Sequence, residues 1–585
     1  MGCRHAKAVL SVILFPAVFP ATANAASAYI QHNLVSNIPG LADFTDPSLV
    51  DPWGVAHVFS SPFWITSHAT GNATLYLGSG QPLPVAVSIP LGNGGRSKPT
   101  GIAGNTSIAF PINGDSSSFL IATEDGTGSG VRGIETAKVL VDNSASGAVY
   151  KGIALGQNSS GALLYVVNFR SASIEVYDRN LSPVTLTGGF QDPNLPAGFA
   201  PYNIAVLNGR VYVTYAQQDA GKLNEIVGAG NGFLNVFDQN GKLLKRLISN
   251  GPLNAPWGLA LAPANWGAFG GALLAGNFGD GRINAFDRDS GAHLGTLAGQ
   301  NANPIAIEGL RALIFGNGGE GGDPNTLFFT AGITHGDTRI HGLLGSLSPA
   351  AAITGVVNAA GYQSGPVSPG EIVLIGGFSI GPPQIVTYHP PAFGTIATTL
   401  GDTAVTVNGI AAPIIYASSS ATSVIVPYGV SGFSSADFVV TFRGQITASF
   451  RVPVAFTAPG LFTFDASGKG RAAAIYPNGG EITPGFPASA GQVIILYGTG
   501  EGPTNPAGVD GGIAARVISE PIFPVSLTIG NKPAKVLYAG SAPGQVAGLL
   551  QVEAIIPDGL STGNAEVILT VGPNSSQPGV TIAVK

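Results

Sequence analysis

The sequence predicts an all-β protein, a six-bladed β-propeller followed by two tandem immunoglobulin-like β-sandwiches. Three observations carry that prediction. Of 585 residues, 84 are glycine and 43 proline, while only 10% are charged. Such a composition favours short strands joined by tight turns over helical bundles or α/β sheets. In the first half a short step into an apolar strand recurs six times, with a period of about 50 residues. A longer repeat of different composition occupies the second half, its two copies roughly 120 residues apart.

Residues 1–25 read as an export leader: the charged Arg4, His5 and Lys7, an apolar stretch from Ala8 to Phe19, then Ala23-Asn24-Ala25 as a small-residue cleavage site. That stretch contains Pro16 and falls well short of the roughly 20 apolar residues a membrane span needs, so no span is expected. The product is expected to be secreted, extracellular or periplasmic, in a bacterium. The only cysteine, Cys3, would leave with the leader, which removes disulfides, thiol catalysis and cysteine-bound metals from the mature chain. A net charge of −6 without basic runs argues against nucleic acid and against anionic membrane surfaces, both of which are bound through clustered Lys and Arg.

Residues 26–349 carry the shorter repeat. Its steps are Pro52-Trp53-Gly54, Pro99-Thr100-Gly101, Tyr150-Lys151-Gly152, Pro201-Tyr202-Asn203, Pro256-Trp257-Gly258 and Ile307-Glu308-Gly309. The third position is read as a left-handed backbone site, where glycine is free and Asn203 is the best-tolerated substitute. Each step leads into a second strand, and a third often ends in aromatic-Asp, as in Tyr177-Asp178, Phe237-Asp238 and Phe286-Asp287. Four short strands in about 50 residues is the period of a propeller blade, here NHL-like; a sandwich needs about 100.

The second half divides at 350–456 and 457–585. Ser368-Pro369-Gly370-Glu371 is echoed by Ser489-Ala490-Gly491-Gln492, and Val426-Pro427 by Ile556-Pro557. Alternating strands and turn spacing suggest one sandwich per copy.

Particular stretches also resemble known families. Asp51-Pro52-Trp53-Gly54, Ala122-Thr123-Glu124-Asp125-Gly126-Thr127, Asn168-Phe169-Arg170 and Gly276-Asn277-Phe278-Gly279-Asp280-Gly281 resemble a family of secreted bacterial β-propeller proteins of unknown function, first grouped among exosortase-sorted (PEP-CTERM) proteins. Gly355-Val356-Val357-Asn358-Ala359-Ala360 and Ala458-Pro459-Gly460-Leu461-Phe462-Thr463 resemble the carboxy-terminal module of secreted acidobacterial proteins. These resemblances imply fold and export and carry no established activity. The chain departs from the propeller family at Ser67-His68 and at Arg311, where Asp-Asn and Trp would be expected.

Propeller topology places the residue before each repeat glycine at the channel mouth: Trp53, Thr100, Lys151, Tyr202, Trp257 and Glu308, with Lys151 facing Glu308 across six blades. Turns on the same side bring His68, Glu124, Asp125, Asn168, Arg170, Asn277 and Asp280. Three aromatics among polar groups suit an extracellular glycan, a small polar ligand or a protein partner. The competing reading makes the aromatics wedges between blades. Glu124, Asp125 and Glu308 are hard oxygen donors of the kind Ca2+ takes. No catalytic residue is expected: Ser379 sits in a Gly-x-Ser-x-Gly match, but after a sandwich strand rather than in an α/β sheet. The function expected is non-catalytic, a secreted binding or cell-surface-associated protein with the sandwiches as spacer or attachment modules. The alternative is a calcium-dependent hydrolase or lyase acting at the mouth.

Overall fold

A computed structural model describes residues 28–585 apart from 92–94, 337, 390–393 and 515–517. The leader lies outside the described residues. The described chain is built of strands, with three single 3-10 turns as its helical elements, and no described helix is long and apolar enough to cross a membrane. It divides into two compact units, one ending at Pro349 and one beginning at Ala350.

The first unit is a six-bladed β-propeller. Blade 1 runs outward through Pro52–Ala56, Phe63–Ser67, Asn72–Tyr76 and Pro82–Ser88; blades 2, 4 and 5 repeat this order from Pro99–Gly104, Phe199–Leu207 and Pro256–Leu261. Blade 3 has three strands, Tyr150–Asn158, Gly161–Asn168 and Ser173–Asp178, with a single bridge from Tyr177 to Pro183 in the fourth place. Blade 6 combines Leu310–Phe315, Leu327–Ile333 and His341–Pro349 with Tyr29–Ser36 from the start of the chain, antiparallel to His341–Pro349. The first strand thus closes the ring that the last blade completes, so no blade edge is left between them.

Inner strands neighbour one another around the ring, the sixth meeting the first. Side chains tie them together. Thr66 Oγ1 in blade 1 donates to Thr100 O in blade 2 at 2.7 Å, and Thr100 Oγ1 to Tyr150 O in blade 3 at 2.8 Å. Asn203 Nδ2 in blade 4 donates to Trp257 O in blade 5 at 2.7 Å, and Thr330 Oγ1 in blade 6 to Trp53 O in blade 1.

These contacts correct the reason for the repeat glycine. Gly54, Gly101, Gly152, Gly258 and Asn203 do not have positive φ, although Gly309 in the sixth step does, at 63°. A Cβ on Gly54 would stand 2.6 Å from Thr100 O, and one on Gly258 2.6 Å from Arg311 O. Glycine is required there because adjacent inner strands converge on the channel.

Register corrects the sixth step as well. In blade 1 the ladder skips from the Pro52–Ser67 pair to Val55–Ile65, and Gly54 N donates to Thr66 Oγ1. Blade 6 skips from Leu310–Ala331 to Leu313–Phe329, and Ala312 N donates to Thr330 Oγ1. Ala312 is therefore the counterpart of Gly54, and Arg311, not Glu308, is the counterpart of Trp53. The bulge in each inner strand turns this residue out of the ladder and toward the channel.

The second unit has one apolar core among residues 353–452, beneath a sheet containing Ile372–Phe378 and Ala421–Ile425 and another containing Thr403–Val407 and Ser435–Phe442. A second core lies among residues 461–584, where ten strands join one continuous sheet. A third cluster takes residues from both halves, Leu374 and Ile425 alongside Phe462 and Leu549. The longer repeat is visible as one local bond: Ser368 N donates to Glu371 Oε2, and Ser489 N to Gln492 Oε1, each at 2.7 Å.

Candidate functional site

The bulged residues of the six inner strands meet inside the channel. The Trp53 and Trp257 rings lie edge to face with centroids 6.3 Å apart. Trp257 Nε1 donates to Lys151 O at 3.1 Å, reaching past the fourth blade. Tyr202 is fully buried, and Trp257 is only 4% exposed. These three aromatics fill the channel instead of standing open at its mouth, so a sugar has no free face of Trp53, Tyr202 or Trp257 on which to stack.

Lys151 is 1% exposed, which would be costly without partners. Its Nζ bonds Glu124 Oε1 and lies 3.8 Å from Glu225 Oε2, over the Trp53 ring at 5.1 Å. Glu124 also accepts from His68 Nε2 at 2.9 Å, and His68 Nδ1 stands 3.2 Å from Asp51 Oδ2. The result is one chain, Asp51–His68–Glu124–Lys151–Glu225, alternating in sign across blades 1 to 4. Burial disfavours the His68 imidazolium, but hydrogen bonds and charge from Asp51 and Glu124 outweigh it and raise His68 to about 9. Burial likewise works against the Glu124 carboxylate, yet His68 and Lys151 hold it down to about 2. Tyr202 is kept protonated by burial first and then by the charge of Glu225.

Arg311 stands apart from this chain. It is 7% exposed, and its guanidinium lies 4.2 Å from the Trp53 ring centroid and 3.7 Å from that of Phe278. Two aromatic faces stabilise a cation there, but Nε and Nη1 have no hydrogen-bond acceptor among the described residues. Asp51 Oδ1 and Trp53 Nε1 are buried without partners in the same region. Asp51 has φ 50° immediately before Pro52; Ala255 before Pro256 has φ 45°. Both conformations belong to the blade step, and the carboxylate is what distinguishes Asp51.

A cleft of about 580 Å³ opens beside Arg311, lined also by Asp51, Phe278, Asp280, Glu308 and Thr334. Two expected mouth residues, Asp280 and Glu308, are therefore at the opening. Glu308 is exposed and bonded to Thr334 Oγ1, and does not face Lys151. The remaining candidates hold turns. Asn277 Nδ2 donates to Pro252 O at 2.7 Å, Asn168 Nδ2 to Glu175 Oε1 at 2.8 Å, and the exposed Arg170 to Gly147 O at 3.3 Å.

The expected calcium set is not assembled. Glu124 is committed to His68 and Lys151, Asp125 Oδ2 accepts from Lys98 N at 2.6 Å, and Glu308 from Thr334. Among the described residues no group of three or more His, Asp or Glu is arranged to hold a metal ion. Sequence reasoning left Glu225 and Asp51 out of the site. Arg311 carried a signal, since the step from Gly258 to Ala312 also fits a blade period of about 50 residues.

An uncharacterised protein of Acanthamoeba polyphaga mimivirus is 35% identical over 334 residues, covering 54% of this chain and 78% of that protein. The chain belongs to the family of that protein. A second uncharacterised member from the same virus is 31% identical over 329 residues, covering 54% of this chain and 84% of the relative. No family model matches. Among solved structures, a streptogramin B lyase is 11% identical at a TM-score of 0.34, covering 55% of this chain and 98% of that one. A protein of unknown function from Bacteroides thetaiotaomicron is 10% identical at a TM-score of 0.37, covering 55% and 76%.

Proposed function

We propose that this family member is an exported, non-catalytic binding protein whose recognition surface is the propeller mouth. The observation that carries the reading is Arg311, a buried cation with unanswered N–H groups beside a 580 Å³ cleft. A buried charge without a counter-ion is costly in a structural core, and one placed at a cleft is the expected signature of a ligand site. The ion chain beside it supports binding over turnover. His68 and Glu124 are each engaged on both sides, so neither has a free position from which to move a proton to or from a substrate. The leader-like opening supports export, and the second unit serves as spacer or attachment in this reading, with its two halves as immunoglobulin-like modules.

The test is a thermal-shift and calorimetry screen of the full chain against small polar molecules and extracellular glycans, repeated with Thr334→Trp. That side chain is exposed, so a larger ring there blocks the cleft without disturbing a core. Ligands that raise Tm in the native chain and lose at least ten-fold in affinity in the variant support the reading. Ligands that bind both forms equally overturn it.

A further inference from the structure

The charge layout of the cleft restricts what it can take, on the footing that the mouth is a binding site. Its buried end holds Arg311, with Nε and Nη1 unanswered among the described residues. Next to them Asp51 Oδ1 is an acceptor without a donor, Oδ2 being held by His68. The open end carries Asp280 and Glu308. The Asp280 carboxylate is oriented by Asn277 Nδ2 and by Arg282 N, at 3.0 and 3.1 Å. Glu308 is held by Thr334, whose hydrogen bond keeps its carboxyl below the usual carboxylate range. Asp51 is paired with the His68 imidazolium, so among the described residues Arg311 is the charge at the depth left without an ion pair, while the rim is negative.

Each simple ligand class meets an obstacle there. A bare anion must pass two rim carboxylates to reach Arg311. A bare cation is held at the rim but leaves the guanidinium unanswered, and a neutral sugar has no charge to offer either end. A ligand carrying both charges satisfies both ends at once, and a carboxylate is the planar acceptor that a guanidinium takes best. The geometry points to a zwitterionic ligand, an α-amino acid or short peptide, whose carboxylate pairs with Arg311 and whose ammonium group faces Asp280 and Glu308. A volume of about 580 Å³ lies within the usual range for small-molecule sites. The Phe278 ring and the side chains of Val227 and Ile340 supply an apolar wall for an uncharged side chain of such a ligand.

Calorimetry on the full chain at pH 7 tests this with glycine, alanine, diglycine and dialanine against acetate, ethylamine and glucose. The zwitterions are expected to bind at least ten-fold more tightly than acetate or ethylamine, with loss of at least ten-fold in Arg311→Gln. Because Arg311 is buried, a second variant guards against a folding defect: Asp280→Asn with Glu308→Gln alters only the rim. That pair should weaken the zwitterions and strengthen acetate, since the barrier to an anion is removed. Acetate binding as well as glycine in the native chain overturns the ligand class. So does glucose binding untouched by Arg311→Gln, although it would leave the mouth as a binding site. A protein that binds neither these molecules nor any in the wider glycan screen overturns both readings together.

Discussion

Glu124 in the propeller and Glu371 in the second unit are both carboxylates withdrawn from most of their water, and they respond in opposite directions. Burial opposes ionisation in each case. Glu124 is nevertheless held down to about 2 because His68 and Lys151 flank it. Glu371, 1% exposed, is pushed up to about 8 by burial; bonds from Ser368 N and Asn358 Nδ2 oppose this, and the nearby Glu501 adds to it. Glu501, also buried, rises to about 7, and its Oε2 has no partner. Burial is common to both regions; the presence of a cation decides the sign. Among the described residues, the propeller pairs the buried charges of the channel in one chain, pairs the buried Asp192 side chain with Arg246 elsewhere, and leaves Arg311 open beside the chain. The second unit keeps buried acids that are neutral over part of the ordinary pH range.

Four experiments press on that contrast. The largest effect is expected for Lys151→Met, which leaves Glu225 without a cation and Glu124 with His68 alone. A loss of about 3–5 kcal/mol in propeller stability should follow, read by denaturant unfolding with the propeller transition followed separately. A loss below about 1 kcal/mol, the size expected of an exposed pair, would mean that the chain is solvated and not a buried unit.

Next comes His68→Gln, with a loss of about 2–3 kcal/mol near pH 6. The pH dependence follows from the two shifts. His68 is raised, so its contribution is complete below about 6.5 and is lost as pH rises through about 9. Glu124 is lowered, so its contribution is present above about 4.5 and disappears as pH falls through about 2. The propeller should be most stable between those limits, and the variant should converge on the native chain above pH 9. A difference that stays constant from pH 6 to 10 would remove the imidazolium from the account.

Glu501→Gln should act in the other unit and with the opposite preference. Glu501 and Glu371 are raised acids, so the native second unit is most stable at acid pH and weakens as pH rises through about 7 to 8. The variant is expected to match the native chain at pH 5 and to exceed it by about 2 kcal/mol at pH 9. Equal stability at both pH values would show that water reaches the pair. The smallest change is expected from Arg311→Met, a gain of about 1 kcal/mol without ligand, because an unpaired buried cation gives way to an apolar side chain. A clear loss of stability in that variant would instead make Arg311 structural.

Much of the propeller was legible because its signal is periodic. The repeated steps located five inner strands directly and the sixth to within a few residues. The order of strands placed the mouth on the face where Asp280 and Glu308 line the cleft. The sixth step was misread because Glu308-Gly309 imitates the motif while the ladder bulges at Arg311-Ala312. Conformation was misassigned at the repeat glycine in every step but that of Gly309, for a related reason. A recurrent glycine looks the same whether it answers a positive φ or a close neighbour. Asp51, His68 and Glu225 belong to different blades or turns, and no local pattern joins them.

Blade count and the all-β class could be read from residues alone, because hydrophobic periodicity and turn residues are local properties repeated in order. Which charges are partners could not. The channel draws one residue from each blade to a common centre, so Trp257 meets both Lys151 and Trp53 although each lies in a distant blade along the chain. Whether a buried ion is locked, as Lys151 is, or left open, as Arg311 is, depends on small differences in distance in a medium of low dielectric constant. Those distances are set by ring closure.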